Sequence, residues 1–161
     1  MKRGMAEAHE VALNLLSYRS RSFKEMGDAL RKKGFSDEIV ERTLRDLEKK
    51  GLLGDEGFAR EWAYSRVTAR LLGRKRLRQE LAEKGVASSI IAQVQDEVYR
   101  ENPEEELALR AAKKRLRALS GVDPVRARRR LAGYLERRGF SFEVIGRVLE
   151  EVENTRAGET T

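Results

Sequence analysis

The stretch LRQELAEKGVASSII, residues 77–91, decides how the chain is read, because its arrangement of apolar residues about one glycine occurs three times. Leu77, Leu81, Gly85, Val86, Ile90 and Ile91 form the middle copy. Met26, Leu30, Gly34, Phe35, Ile39 and Val40 hold the same relative places upstream, and Leu131, Leu135, Gly139, Phe140, Val144 and Ile145 hold them downstream. The glycines are 51 and 54 residues apart; each follows a basic residue (Lys33, Lys84, Arg138) and precedes an apolar one thirteen places on (Leu47, Val98, Val152). A fixed period of this kind predicts repeated supersecondary units.

The glycine has a physical meaning. Apolar residues four and eight places before it lie on one helical face, so a helix arrives at each glycine with its buried stripe turned inward. Glycine ends that helix in the left-handed conformation without a Cβ clash, and the preceding cation suits the negative helix end. The branched pair at plus five and plus six opens the next helix.

Composition agrees with an all-α chain. Of 161 residues, 38% are charged, 6% are aromatic and two are proline, and no run alternates as a half-buried strand would. Isolated fifty-residue bundles are marginal, so the units must share surface. The net charge of +7 and pI near 9.9 favour acidic partners such as nucleic acid. With no cysteine, neither a disulfide framework nor a thiolate metal site is possible, and no apolar run reaches the length of a membrane span. Met1 to Glu10 leads into no signal-peptide core, so a cytoplasmic protein is expected.

Taken in order, Met1 to Gly4 is expected to fray, and Ala6–Ser17 is the first helix. Ser22 and Glu25 form a capping box for the second, which stops at Gly34; Ser36 or Asp37 caps a third that ends at Gly51. Asp55 is the expected N-cap of the fourth helix, Gly73 breaks the pattern before the basic helix 74–84, and Ser88 caps the sixth. Asn102-Pro103 and Asp123-Pro124 each read as a cap followed by proline at the first helical position, with Glu104, Glu105 and Glu106 placed merely to suit the helix dipole. Ser141 caps the ninth. The predicted fold is an elongated array of three tandem three-helix repeats, about nine helices, spanning 1–51, 52–101 and 102–154, with a disordered tail over 155–161.

Catalysis has little to work with. His9 is the only histidine and reads as a solvated helix residue; adjacent acidic pairs such as Asp96 and Glu97 point in different directions; and no glycine-rich phosphate loop is present. The chain is therefore expected to be no enzyme and to need no cofactor or metal. Basic clusters are the stronger lead. Arg66, Arg70, Arg74, Lys75, Arg76 and Arg78 occur within thirteen residues that hold no acidic residue, and Arg126, Arg130 and Arg137 share one stripe of the eighth helix. Arg66, Arg70, Arg74, Lys75, Arg78, Arg126, Arg130 and Arg137 are the candidate partner- or DNA-binding residues. Such stripes neutralise phosphates, engage an acidic protein groove, or simply form a solvated face beside Glu80, Glu83 and Glu136. Trp62, spaced from Phe58 by one turn, is expected in the core, and Tyr64 is a candidate interface anchor if exposed.

Read as a whole, the sequence resembles the RecX family of bacterial regulators of the RecA recombinase. The likeness is carried by Ala12-Leu13-Asn14-Leu15-Leu16-Ser17 with Arg19 and Arg21; by Leu30-Arg31-Lys32-Lys33-Gly34-Phe35; and by Gly51-Leu52-Leu53 with Asp55-Glu56 and Phe58-Ala59. It continues through Trp62 with Ser65-Arg66, and Gly73 with Arg76-Leu77-Arg78-Gln79-Glu80-Leu81 and Lys84-Gly85-Val86. The third unit matches less closely. Gly54 departs from the aspartate usual in the family, and Gly57 loosens what should be a helical start. The resemblance implies an all-helical arc of three-helix repeats that lies in the groove of the RecA–DNA filament. There it would restrain filament growth, ATP hydrolysis, strand exchange and coprotease activity. The implied partners are that filament and, through the basic faces, single- or double-stranded DNA; a monomer is expected, without a membrane. The competing reading from the charge alone is a sequence-nonspecific DNA-binding helical protein.

Overall fold

The computed structural model describes residues 4–159, and these form nine α-helices and no strand. The helices are α1 (Met5–Tyr18), α2 (Phe23–Lys32), α3 (Asp37–Lys49), α4 (Asp55–Arg70), α5 (Arg74–Glu83), α6 (Ser88–Glu101), α7 (Glu104–Ala118), α8 (Pro124–Arg137) and α9 (Phe142–Glu159). They make three tandem three-helix sets. Of the expected frayed start, Met1 to Arg3 lie outside the described residues; Gly4 is the N-cap of α1.

The repeated glycine ends the middle set's α5 and its counterparts α2 and α8 in the same way. Gly34, Gly85 and Gly139 have φ of +94°, +80° and +92°. Phe35, Val86 and Phe140 each donate their N–H back to Leu30, Leu81 and Leu135, and each glycine N–H reaches the residue three before it. This pairing closes a helix and takes up carbonyls that would otherwise be orphaned. Leu30, Leu81 and Leu135 are fully buried beneath it, each side chain contributing about 1.5–3 kcal/mol of apolar burial.

The chain forms two compact units. The first holds the chain up to Trp62 together with Leu81–Val94, and the second holds Ala63–Glu80 together with the chain from Gln95 onward, so α4, α5 and α6 each contribute residues to both. In the first unit Ala8, Ala12, Met26, Leu30, Val40 and Leu47 make the core, with Val11, Leu15 and Leu16 packed against it. In the second, Leu107, Ala111, Leu131, Leu135, Phe140 and Val148 are buried.

Caps account for most departures from the sequence reading. The capping box of Ser22 and Glu25 forms, and Ser36, Asp123 and Ser141 each accept a first-turn N–H. Asp55, however, is the first residue of α4 rather than its cap, because its carboxylate is drawn to another helix: it accepts the N–H of Phe23 at 2.9 Å. Ser88 likewise begins α6, the preceding Ala87 carbonyl accepting the first helical bond from Ile91. Asn102 closes α6 by donating from backbone and side chain to the Val98 carbonyl, and Pro103 takes the N-cap place of α7. Helix α4 already stops at Leu71, a buried leucine in the left-handed region at φ 53°, two residues before Gly73.

Two expectations are corrected outright. The tail expected to be disordered from residue 155 continues as helix to Glu159, with residues 160 and 161 outside the described range, since α9 carries its buried stripe as far as Val152 and runs on from it. His9 is not a solvated residue: it is partly buried, and its ring nitrogens meet the Met5 carbonyl at 2.9 Å and the Asp46 carboxylate at 2.6 Å, tying α1 to α3.

Candidate functional site

In the second unit, basic residues from α4, α5 and α8 converge on one cleft. Arg66 and Arg70 stand one turn apart at the end of α4 and therefore share a face. Arg66 makes a two-pronged bond to Glu80 of α5, at 2.8 and 2.7 Å, and Arg76, one turn before Glu80, adds a bond of 3.2 Å. Glu80 is only 8% exposed. The hydrogen bonds that Arg66 donates to this carboxylate push its guanidinium further up from its ordinary value, so Arg66 stays charged and fixed in place.

Close backbone approach brings α8 to this place. Gly73 donates its N–H to the Arg138 carbonyl at 2.8 Å, and Lys75 donates to Gly139 at 3.1 Å. A Cβ on Gly73 would stand 2.4 Å from the Gly139 oxygen, so no other residue fits without movement. Arg138, at the end of α8, then donates its guanidinium to the Arg70 carbonyl. That guanidinium lies 5.0 Å from the ring centre of Tyr134, and Arg115 of α7 lies 5.3 Å from the same ring.

The resulting cleft has a volume of about 410 Å³ and is lined by Arg66, Arg70, Arg76, Arg137 and Arg138 with Leu72 and Tyr134. Its charge is unbalanced: Glu80 occupies Arg66 and Arg76, whereas no ion pair among the described residues engages the side chains of Arg70 and Arg137.

The residues singled out from sequence thus separate. Arg66, Arg70 and Arg137 come together. Arg74 turns elsewhere, to Asp96 at 3.6 Å, Glu104 at 3.8 Å and the face of Tyr99 at 5.0 Å, and serves as a structural cation. Lys75 sits 5.3 Å from the Phe142 ring. Arg78, Arg126 and Arg130 are exposed and line no part of the cleft. Tyr64 is half-buried, its carbonyl taken by the Thr68 hydroxyl. Trp62, expected in the core, is also half-buried, stacked 5.9 Å from Phe58 with the Lys84 ammonium 4.9 Å from its ring. Arg76, Arg138 and Tyr134 were missing from the candidates. Arg76 belongs to the basic run and Arg138 is the cation before the repeated glycine, so both carried a signal; Tyr134 carried none.

No group of three or more His, Asp or Glu side chains among the described residues could hold a metal ion. No described helix is long and apolar enough to cross a membrane.

Comparison with known proteins places the helices. Family models for the first, second and third three-helix domains of RecX match residues 8–47, 55–94 and 103–149. The chain belongs to the RecX family. A regulatory protein RecX of Amycolatopsis mediterranei (strain U-32) is 39% identical over 155 residues, covering 96% of this chain and 88% of the relative. One of Streptomyces lividans is 37% identical over 149 residues, covering 90% and 79%. The crystal structure of RecX from Lactobacillus salivarius superposes with a TM-score of 0.79 over 92% of this chain and 96% of that one; at 22% identity it shows the shared fold. A second crystal structure, of a regulatory protein RecX, has a TM-score of 0.79 at 26% identity over 91% of this chain and 71% of that one. A RecX regulatory role follows for this chain from relatives so named.

Proposed function

We propose that this RecX-family chain is a non-enzymatic regulator of the RecA recombinase. It binds the RecA–DNA filament and restrains its extension, ATP hydrolysis, strand exchange and coprotease activity, acting in the cytoplasm in DNA repair, recombination and the SOS response. Residues 1–51, 52–101 and 102–154 are the three modules of this reading, and the protein works as a monomer without cofactor. The observation that carries it is the succession of three RecX domain matches along one chain. A chain of repeated modules offers much surface per residue to a partner that itself repeats. The experiment is the DNA-dependent ATPase of the cognate recombinase, with this protein added at micromolar concentration. Inhibition together with co-sedimentation on filaments is expected, and the absence of both ends the proposal.

The arginine cleft favours a second reading, sequence-nonspecific DNA binding. Titrating DNA affinity against salt separates the two. A steep loss of binding marks phosphate contact, whereas inhibition that persists without DNA affinity assigns the effect to the recombinase.

A further inference from the structure

We propose that the cleft between the ends of α4 and α8 is a receptor for a phosphate chain. That chemistry is shared by the polyphosphate of a free nucleotide and the backbone of a single-stranded nucleic acid. The proposal deepens the DNA-binding reading by naming its site and ligand chemistry; it rests on the geometry of the second unit and does not depend on recombinase binding.

Three features of the cleft select this ligand. First, its wall is made of donors. Five arginines line a space of about 410 Å³, and two acceptors beside them are already used: the Glu80 carboxylate by Arg66 and Arg76, and the Arg70 carbonyl by Arg138. A guanidinium has no acceptor of its own. An acidic peptide would bring backbone N–H groups that find no partner there, whereas a phosphodiester or polyphosphate presents oxygen acceptors along its whole backbone.

Second, three of the five donors, Arg66, Arg76 and Arg138, are held in place before any ligand arrives. Glu80, at 8% exposure, fixes Arg66 and Arg76, while the Tyr134 ring and the Arg70 carbonyl fix Arg138. Planar guanidiniums held in this way suit phosphate recognition, because less side-chain freedom is lost on binding.

Third, the charge is left over. Five cations against one engaged carboxylate leave Arg70, Arg137 and Arg138 with no carboxylate of their own among the described residues, Arg138 being held by a carbonyl and a ring instead. The Arg126 and Arg130 side chains, on the same α8, are equally cationic but stand on open surface outside the cleft. They supply a control of equal charge.

The test compares Arg70→Gln/Arg137→Gln with Arg126→Gln/Arg130→Gln, both of which remove two charges from exposed side chains. Binding of a fluorescein-labelled oligothymidylate is followed by anisotropy across a salt series, with inorganic tripolyphosphate, ATP and an oligoglutamate peptide as competitors. The cleft variant is expected to lose about tenfold or more in affinity and to flatten the salt slope by about 0.7 for each lost phosphate contact, with the surface variant changing less than about threefold. Tripolyphosphate should compete against the wild type and not against the cleft variant. Competition by ATP at concentrations where the oligonucleotide binds weakly assigns the site to a free nucleotide; the reverse order assigns it to a nucleic acid backbone. Equal losses in the two variants would show diffuse charge and no receptor. An unaffected cleft variant, or oligoglutamate displacing the probe better than tripolyphosphate, overturns the proposal. Unchanged thermal melts of both variants ensure that the comparison reads binding.

Discussion

The Asp55 carboxylate accepts the backbone N–H of Phe23 at 2.9 Å, so the first residue of α4 satisfies the first residue of α2. The same relation recurs one repeat later, where Glu104, first in α7, accepts the N–H of Arg74, first in α5, at 2.8 Å. Each capped N-terminus also meets the C-terminal end of a following helix. Ser22 donates its hydroxyl to the Lys84 carbonyl at the end of α5, and Gly73 donates to the Arg138 carbonyl at the end of α8. Successive repeats are therefore joined by one device: a positive helix start set against a negative helix end, with a carboxylate on the remaining donor. On α8 that place is filled locally, by Asp123 capping Arg126 and by Pro124, which has no N–H to give.

A prediction follows for the carboxylates. Asp55→Ala and Glu104→Ala should each lower stability by about 1 kcal/mol, as lost helix caps do, and Asp55→Asn should restore most of it because its amide oxygen still accepts the Phe23 N–H. Urea unfolding measures both. If Asp55→Asn costs as much as the alanine, charge and not the hydrogen bond is what matters there.

Glycine at the second junction answers to space. A Cβ on Gly139, at φ +92°, would come within 2.3 Å of the Arg76 nitrogen, and one on Gly34, at φ +94°, would meet nothing within 4 Å. Gly34→Ala should thus cost about 1 kcal/mol, the conformational term alone, and Gly139→Ala or Gly73→Ala about 2 kcal/mol or more. Gly85→Val, which adds a contact with Lys24 at 2.8 Å to a φ of +80°, belongs with the costly group. Equal melting temperatures for Gly34→Ala and Gly139→Ala would contradict the close approach.

Acid should loosen the first junction. Burial works against the charge of Glu25, but hydrogen bonds from Arg19, Lys84 and the Ser22 backbone outweigh it and hold the carboxyl at about 2, below its ordinary 4.5. A carboxylate lowered in the folded state stabilises the fold fully above its unfolded value, and that contribution is lost as pH falls from about 4.5 to about 2. Asp46, lowered by hydrogen bonds from Lys50 and His9, acts in the same direction; Asp55, raised by burial despite the Phe23 N–H, acts in the opposite one. Melting temperature should fall below pH 4.5 in the wild type and fall less steeply in Glu25→Gln. Parallel curves for the two proteins would remove Glu25 from this role.

The sequence made the helices legible because their stop signal is local: a leucine, three residues and a left-handed glycine repeat at Gly34, Gly85 and Gly139 and need no tertiary information. It could not show where Asp55 and Glu104 point, since a carboxylate at a helix start suits its own dipole equally well. Gly73 looked like a pattern break; its reason is the Gly139 backbone, sixty-six residues away. The basic run was visible, but its partition was not. Arg74 and Arg78 share a helix flank by spacing, yet Arg74 alone meets Asp96, Glu104 and Tyr99.

That partition is testable. Arg74→Ala removes two ion-pair partners and a ring contact from a side chain that is 41% exposed, and the solvent screening that follows limits the expected loss to about 1 kcal/mol. Arg78→Ala, on open surface, should stay within about 0.5 kcal/mol of the wild type. Helical content by circular dichroism should be unchanged in both, so a weakened partner or DNA interaction in Arg78→Ala would report the surface itself, whereas one in Arg74→Ala would report the packing of α5 against α6 and α7. A melting temperature for Arg78→Ala lower than that for Arg74→Ala would reverse the assignment.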